Sequence, residues 1–319
     1  MRNRIVVLGA AGFVGYHLAE KLSREPENRL VLVDNFIRSQ YDAHFQELSS
    51  RSNCTFYDLD LTSRANLEEL INKGDIVYNL VALNGTRNFY ERPMTVMINT
   101  GLTAILIAEI CGLKKASKYF YFGSSESYAG SVDLGLAPIP TPENVPLAVT
   151  DIRNVRWSYG ASKTLGEIAC FASNKEFDLE FTIFRIHNLY GPRMGYDHVV
   201  SDLIRKFTNS NSEVFGLEET RSFMFISDAV EAILTIANLT ENKDRIINIG
   251  SEEEVTIRTL AQIIIDKIDP NLEIKDMGRL EGSAMRRSPE ISLLRTYYSA
   301  IPVTLSDGIE QTIEYYKNN

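Results

Sequence analysis

Hydrophobic and polar positions follow two different periods along the first part of the chain. Short apolar runs rich in β-branched and aromatic residues predict strands, at residues 5–8, 30–33, 55–57, 76–80, 119–122 and 181–185. Between these runs, apolar residues recur every three or four positions, which predicts helices at residues 13–24, 63–72, 94–113 and 161–175. Strands that alternate with helices favour right-handed crossovers and a mostly parallel sheet of the α/β class.

After residue 188 the rhythm changes. Short strands are predicted at residues 213–215, 223–226 and 246–249, and helices at residues 199–208, 228–239 and 257–268. Asp228 is expected to cap a helix that begins at Ala229. The proline-rich residues 137–146 predict a long loop, and a loop of this length within an enzyme is often functional. The pattern predicts a smaller α/β unit in the C-terminal part.

Composition and charge exclude several classes of function. The 319 residues carry 33 basic and 42 acidic side chains, a formal net charge of −9, which argues against nucleic-acid or anionic-membrane binding. The three cysteines are far apart, so we expect no disulfide framework and a cytoplasmic setting. The four histidines are scattered and predict no metal site. No run approaches 18 uninterrupted apolar residues, so no membrane association is expected.

A glycine-rich turn between the first strand and the first helix predicts dinucleotide binding. Gly9 permits the tight turn, Gly12 lets the backbone approach a pyrophosphate, and Gly15 allows close helix–strand packing. The backbone of Phe13 and Val14 opens the helix, whose N-terminus favours an anion. This context predicts a Rossmann-type, doubly wound parallel sheet.

The end of the second strand indicates which dinucleotide is bound. Asp34 follows Gly15 by nineteen residues, where a carboxylate can accept hydrogen bonds from ribose hydroxyls and repel a 2′-phosphate. NAD is therefore favoured over NADP. Arg38 could accommodate that phosphate, although we expect it to be a solvated loop charge.

Tyr159 and Lys163 are candidates for acid–base chemistry. At positions i and i+4 of a helix they lie on one face. The phenol is a poor base because its ordinary pKa is near 10. A nearby ammonium and the positive nicotinamide ring would favour phenolate, so Tyr159 could take a proton from a substrate hydroxyl as hydride leaves.

These motifs resemble the extended branch of the short-chain dehydrogenase/reductase superfamily, and specifically its NAD-dependent nucleotide-sugar epimerases and dehydratases. The resemblance covers residues 5 to about 310 and rests on the Gly-x-x-Gly-x-x-Gly spacing, the Tyr-x-x-x-Lys segment and later motifs in the family's order. It implies cofactor contacts at Asp60, Leu61 and Ala82, the last preceded by Val81 where the family has alanine. It also implies an NAD-binding domain at residues 1–187, regaining parts of 223–249, and a mainly substrate-binding domain at residues 188–319.

The resemblance also assigns residues to the substrate. Ser124 matches the catalytic Ser/Thr that hydrogen-bonds the reacting oxygen, and Glu126 matches the acidic residue that acts on the sugar ring in some members. The implied substrate contacts are Ser124, Ser125, Asn188, Arg193, Arg221 and Arg287, the two last as partners of the diphosphate. This sequence departs from the family at Ser127, Ala129 and Ser222.

The expected function is therefore that of an isomerase or lyase acting on a nucleotide-diphosphate sugar through a transient 4-keto intermediate. Carbon-4 epimerisation is favoured first, because Ser125 is a poorer proton donor than the aspartate of most dehydratases. Dehydration between carbons 4 and 6 is second, and decarboxylation of a nucleotide-linked uronic acid is third. A non-catalytic NAD(P)-sensing protein is the alternative from another class. The family implies a homodimer formed through residues 94–113 and 161–175.

Overall fold

The computed structural model describes residues 3–239, 245–279 and 285–318. Within these ranges the strands, in chain order, are β1 (Arg4–Leu8), β2 (Arg29–Asp34), β3 (Cys54–Asp58), β4 (Ile76–Asn79), β5 (Lys118–Ser124), β6 (Phe181–Ile186), β7 (Leu189–Tyr190), β8 (Glu213–Val214), β9 (Thr220–Ser222), β10 (Met224–Phe225), β11 (Arg245–Ile249), β12 (Glu254–Thr256), β13 (Lys275–Asp276) and β14 (Arg286–Arg287).

The helices in the same ranges are α1 (Phe13–Ser23), α2 (Ala43–Ser49), α3 (Arg64–Leu70), α4 (Thr86–Glu91), α5 (Pro93–Val96), α6 (Thr103–Leu113), α7 (Ala129–Asp133), α8 (Trp157–Phe177), α9 (Val199–Thr208), α10 (Ile226–Ala237), α11 (Ile257–Ile268), α12 (Ser292–Tyr297) and α13 (Leu305–Asn318). A π-helical segment, Met97–Leu102, joins α5 to α6, and one 3₁₀ turn, Ser125–Tyr128, follows β5.

The main sheet has seven parallel strands in the order β11-β6-β5-β4-β1-β2-β3. The order reverses between β1 and β4, and this is the switch point at which α/β sheets of this kind bind dinucleotides. The sheet confirms the predicted Rossmann-type, doubly wound fold. Three small sheets, pairing β10 with β7, β12 with β9 and β14, and β13 with β8, form the C-terminal part.

Alternating side chains of the central strands pack into two separate hydrophobic cores, one on each face of the sheet. In β1, Ile5 and Val7 pack with α1, α10 and the C-terminal part, whereas Val6 and Leu8 pack against α3, α6 and α8. A strand covered on both faces needs apolar residues at every position, which explains the uninterrupted apolar runs in the sequence.

Helix α8 starts earlier than the sequence pattern predicts. Its first residue is Trp157 rather than residue 161, and Gly160 lies within its first turn. A Cβ at Gly160 would lie 3.0 Å from the backbone oxygen of Glu126, so the glycine permits close packing and does not end the helix. As a result, Tyr159 lies in the first turn of α8, against the turn that carries Glu126.

Of two further expectations, one differs from the structure and one agrees with it. Asp228 does not precede its helix, because α10 begins at Ile226, and the Asp228 carboxylate instead accepts a hydrogen bond from the Val303 backbone N–H at 2.8 Å. Residues 137–146 do form a loop, and it is tied to the C-terminal part by the Thr141 N–H, which donates to the Ser288 carbonyl at 2.9 Å.

The helical stretch Pro93–Leu113 is apolar enough, with a mean hydropathy of 1.8 over its most apolar window, to span a membrane by length and composition alone. In this fold 56% of that window is buried, largely against α8. A core helix of a soluble protein meets the same criterion, so the finding is weak support for a membrane span.

Candidate active site

The turn between β1 and α1 has the shape that a dinucleotide needs. Gly9 has a φ of +82°, which favours glycine, and a Cβ at Gly15 would collide with the Gly9 carbonyl oxygen. Gly12 precedes α1 and provides no side-chain cap, so the first N–H groups of α1, including those of Phe13 and Val14, are available to an anion. These residues fit a pyrophosphate at the helix N-terminus.

Asp34, at the end of β2, stabilises this turn through hydrogen bonds to its carboxylate. One carboxylate oxygen accepts a hydrogen bond from the Ala11 N–H at 2.9 Å, and the other accepts from the Phe36 N–H and the Ser39 hydroxyl. The oxygen that faces Ala11 accepts only this one hydrogen bond, so it keeps a lone pair for a ribose hydroxyl. Asp60 accepts hydrogen bonds from Thr62 in the turn after β3, and Leu61 is buried there.

The predicted acid–base residues come together at the N-terminal end of α8. Tyr159 stacks on Phe89 with ring centroids 4.8 Å apart, and Ala82 packs in the same apolar cluster. Lys163 lies one turn further along, with its Nζ 5.9 Å from the centre of the Tyr159 ring. That ammonium donates a hydrogen bond to the Phe122 carbonyl at 2.6 Å.

Burial controls the protonation of this pair. It raises the pKa of Tyr159 to about 12, against smaller lowering effects of the Arg38 charge and a hydrogen bond with Ser124. Burial also lowers the pKa of Lys163 to about 7, although the Glu167 carboxylate opposes that shift. The protein alone therefore holds Tyr159 as a neutral phenol, and formation of phenolate needs additional positive charge beside it.

Ser124 and Glu126 lie at the end of β5, opposite the first turn of α8. The Ser124 hydroxyl accepts a hydrogen bond from the Glu126 N–H at 3.2 Å, which fixes the turn between them. The Glu126 side chain is 21% exposed and pairs with Arg287, whose Nη1 lies 2.6 Å from Oε1. Arg156 approaches the other oxygen of Glu126 at 3.6 Å.

Three arginines keep Glu126 ionised. Burial by itself would raise its pKa, but the charges of Arg287, Arg156 and Arg221 outweigh burial, and the net shift is downward. At neutral pH this side chain is a carboxylate, which can accept a proton or act through its charge but cannot donate a proton.

The other predicted substrate residues are divided between two places. Arg221 on β9 is in register with Arg287 on β14, so the two guanidinium groups lie on neighbouring strands, and Arg221 pairs with Glu219 at 3.0 Å. Burial, followed by the Arg287 charge, lowers the pKa of Arg221 to about 10. Asn188 donates a hydrogen bond to the Ser222 carbonyl at 3.1 Å, and Ser125 is buried beside Arg287 in a pocket that continues from the site.

Arg193 lies at the cofactor end instead. Its guanidinium donates hydrogen bonds to Asp42 and to the Ala11 carbonyl, both at 2.8 Å, and stacks over the Tyr16 ring. The structure therefore brings Arg193 to the glycine-rich turn and not to the cluster around Glu126. Its assignment as a substrate contact stays a prediction.

Sequence reasoning missed Arg156 and did not foresee the partners of Arg38. Arg156 carries no motif signal, and only the fold brings it to Glu126, thirty residues earlier in the chain. Arg38, expected as a solvated loop charge, lies 3.2 Å from His198 Nε2 and 3.9 Å from Asp197, and its charge acts on Tyr159. Its position after β2, close to the cofactor turn, was the available signal.

Comparison with known proteins agrees with this geometry. A sequence-family model described as the NAD dependent epimerase/dehydratase family matches residues 5–250. The chain is 30% identical to a UDP-N-acetyl-alpha-D-glucosaminuronate decarboxylase of Bacillus cytotoxicus, over 99% of this chain and 98% of that protein. It is 28% identical to UDP-glucuronic acid decarboxylase 3 of Arabidopsis thaliana, over 96% of this chain and 86% of that protein.

A solved structure gives the same result for the fold. The UDP-glucuronic acid 4-epimerase of Bacillus cereus, in complex with UDP-glucuronic acid and NAD, matches with a TM-score of 0.87 and 25% identity over 99% of both chains. The relatives are enzymes that act on UDP-sugars, which favours catalysis over the cofactor-sensing alternative. The chain is an enzyme with NAD as its cofactor, and it belongs to the NAD-dependent epimerase/dehydratase family.

Proposed function

We propose that the enzyme decarboxylates a UDP-linked hexuronic acid through a 4-keto intermediate. The supporting observation is the ionised Glu126 beside Ser124 and Tyr159, surrounded by the guanidinium groups of Arg156, Arg221 and Arg287. Such a cluster suits a sugar that carries its own negative charge. The named activities of the curated relatives, which include decarboxylases of UDP-linked uronic acids, support the same substrate class.

The chemistry follows from the position of the carboxylate. NAD, when bound, accepts the hydride of carbon 4 and later returns it. The Tyr159 phenolate takes the proton of the carbon-4 hydroxyl, and Ser124 hydrogen-bonds the oxygen that becomes the ketone. The carboxylate on carbon 5 is then β to a ketone, so the bond between carbons 5 and 6 breaks, carbon dioxide leaves and its electron pair forms an enolate. Carbon 5 takes one proton from solvent, and Tyr159 returns its proton as the hydroxyl reforms.

Glu126 acts in this scheme through its charge. A fixed carboxylate near the carboxylate of the substrate raises the energy of the bound ion, and that repulsion is relieved as neutral carbon dioxide departs. In a dehydration the ionised Glu126 could remove the carbon-5 proton, but the departing hydroxide would still need a proton donor, and Ser125 is a poor one. The named activities of the curated relatives include decarboxylases and favour decarboxylation instead. Dehydration therefore falls behind decarboxylation, which the sequence alone ranked third.

Carbon-4 epimerisation of a UDP-uronic acid is the second candidate. It was the reaction favoured from sequence, and the likeness to the Bacillus cereus epimerase supports it. In that reaction the 4-keto sugar rotates, hydride returns to its opposite face, and carbon 5 keeps all of its bonds.

Incubation with UDP-glucuronate and UDP-N-acetylglucosaminuronate in deuterated water separates the two reactions. Decarboxylation gives a product lighter by one carbon dioxide, with solvent deuterium on carbon 5, as read by mass spectrometry and NMR. An unlabelled isomer of unchanged mass would reject decarboxylation in favour of epimerisation. Under the decarboxylation scheme, Glu126→Gln should slow the formation of product by about 10-fold or more, and reduced cofactor should accumulate. Under epimerisation the slowing should be modest.

We also propose that two copies associate through one apolar face. Four large side chains share it, two from the α5–α6 region and two from α8, and all are at least 39% exposed: Ile98, Leu102, Leu165 and Ile168. The two helical regions pack side by side, so these residues form one surface. A contiguous apolar face of this kind is typical of a protein–protein interface, and a second copy would bury it in a four-helix arrangement.

A further inference from the structure

Arg156 occupies a distinct position in the site. It immediately precedes α8, and Tyr159 follows it by three residues, so the two side chains lie on the same face of the first turn. The Arg156 guanidinium is held over the Trp157 ring at 5.3 Å, and its side chain is only 16% exposed. It is therefore a positioned cation at the edge of the reaction centre.

The donors of Arg156 are not satisfied by close partners. Its nearest carboxylate oxygens are Glu126 Oε2 at 3.6 Å and Asp133 Oδ2 at 4.0 Å, both beyond hydrogen-bond range. Within the described ranges its guanidinium makes no hydrogen bond, whereas Arg287 holds Glu126 at 2.6 Å. A guanidinium that is fixed by stacking and makes no hydrogen bond to the protein can bind an additional anion without first giving up a hydrogen bond.

The proposed substrate supplies an anion at the right place. Tyr159 must meet the hydroxyl of carbon 4, and the carboxylate of a hexuronic acid is attached to the adjacent carbon 5. We propose that Arg156 binds this carboxylate, in a forked pair, and makes the enzyme prefer a uronic acid to a neutral hexose. The inference rests on the proposed uronic-acid substrate and adds the residue that recognises it.

The preference has a physical basis in both directions. With a uronic acid, the planar guanidinium gains two charge-assisted hydrogen bonds. With a neutral hexose, the same donors face a hydroxymethyl group and remain poorly paired. A site built to pair a polar group discriminates strongly against an analogue that lacks it. Arg156 should affect binding more than turnover, because its pairing with the carboxylate exists before carbon dioxide leaves.

The test measures affinity for UDP-glucuronate and UDP-glucose by calorimetry on the NAD-loaded enzyme. Arg156→Gln should lower the affinity for UDP-glucuronate by about 10–100-fold, the range for a hydrogen bond to a charged group. The affinity for UDP-glucose should change by no more than about 3-fold. Arg156→Lys keeps the charge but loses the fork, so an intermediate loss is expected. Arg153→Gln is the matched control, because Arg153 lies in the same loop, is 88% exposed and pairs with Asp151.

The outcomes separate this inference from the proposed function. If the unmodified enzyme binds UDP-glucose as tightly as UDP-glucuronate, the uronic-acid substrate itself is rejected. If that enzyme prefers UDP-glucuronate and Arg156→Gln retains the full preference, the role of Arg156 is overturned while the substrate class stands. Should Arg156→Gln fail to fold, as judged by its melting temperature, Arg156→Lys decides: an unchanged preference contradicts the forked pairing. With activity as readout, KM for the uronic acid should rise more than kcat falls.

Discussion

Among single residues, Tyr159 and Lys163 show that burial alone shifts the pKa values of an acid–base pair without producing the reactive phenolate. Their ordinary pKa values are close, but burial separates them, to about 12 for the phenol and about 7 for the amine. The pair is therefore most stable with a neutral phenol. Positive charge from a bound nicotinamide ring would lower the phenol pKa, so acid–base chemistry is coupled to cofactor binding.

Replacing Tyr159 with Phe should preserve the fold and lower turnover by at least about 100-fold, the usual contribution of a general acid–base group. The ring volume is almost unchanged, and the stacking on Phe89 can persist. Turnover, melting temperature and NAD affinity would be measured together. Near-normal turnover would place the base on another residue.

Asp34→Asn should lower the affinity for NAD and reduce discrimination against NADP, since the negative charge at the end of β2 is removed while the side-chain shape remains. The expected loss of NAD affinity is about 10-fold or more, because the ribose hydroxyls lose a charged acceptor. Fluorescence titration with both cofactors measures it. Asp58→Asn, on the neighbouring strand in register with Asp34, is the control. Unchanged selectivity between the cofactors would contradict the role of Asp34.

Local motifs predicted many of the individual residues, and tertiary contacts determined the others. Tyr159, Lys163 and Ser124 carry motif signals, and the structure brings them together. Arg156 lies 3.6 Å from Glu126, which is thirty residues earlier in the chain, and no periodicity in the sequence links the two positions. Asp228 looked like a cap because it precedes an apolar helical run, but the helix begins two residues earlier.

Among the secondary-structure elements and their connections, the β1–α1 turn is the one that should tolerate substitution least. Gly15→Ala would place a methyl group against the Gly9 carbonyl, so β1 and α1 must separate. We expect a destabilisation of about 1–3 kcal/mol and a marked loss of NAD affinity. Urea unfolding and cofactor titration would measure the two effects. Gly195→Ala is the control, since a Cβ there has no neighbour within 4 Å among the described residues. Equal effects of the two substitutions would contradict a special role for Gly15.

Element length explains which elements the sequence could predict. The buried strands of the main sheet and the long helices have enough residues to show a period, and they agree with the predicted pattern. Strand β7 has two residues, too few for a period to be visible, and helix α2 was not predicted although α3, which also has seven residues, was. The predicted start of α8, residue 161, is four residues late: the helix begins at Trp157 and includes Gly160, which permits close packing on the Glu126 backbone.

Across the whole molecule, the apolar face formed by the π-helical segment before α6 and by α8 is the feature that predicts assembly. Ile168→Glu, which introduces a charge where 58% of the side chain is exposed, should convert a dimer to a monomer with little change in secondary structure. Light scattering after gel filtration measures the mass. Ile301→Glu, at a position 95% exposed, is the control and should leave the mass unchanged. An unmodified protein that is monomeric at micromolar concentration would reject the interface.

Strand β11 has a consequence for the synthesis of the protein. It pairs with β6 in the main sheet, yet about sixty residues separate the two strands in the chain. While a ribosome translates those residues, the outer edge of β6 has no neighbour and can template pairing with another nascent chain. Chains arrested before Arg245 should therefore aggregate or engage chaperones more than chains released after Ile249. Synthesis of β11, the last strand of the cofactor-binding sheet, thus ends the period in which the exposed edge of β6 can pair with another nascent chain.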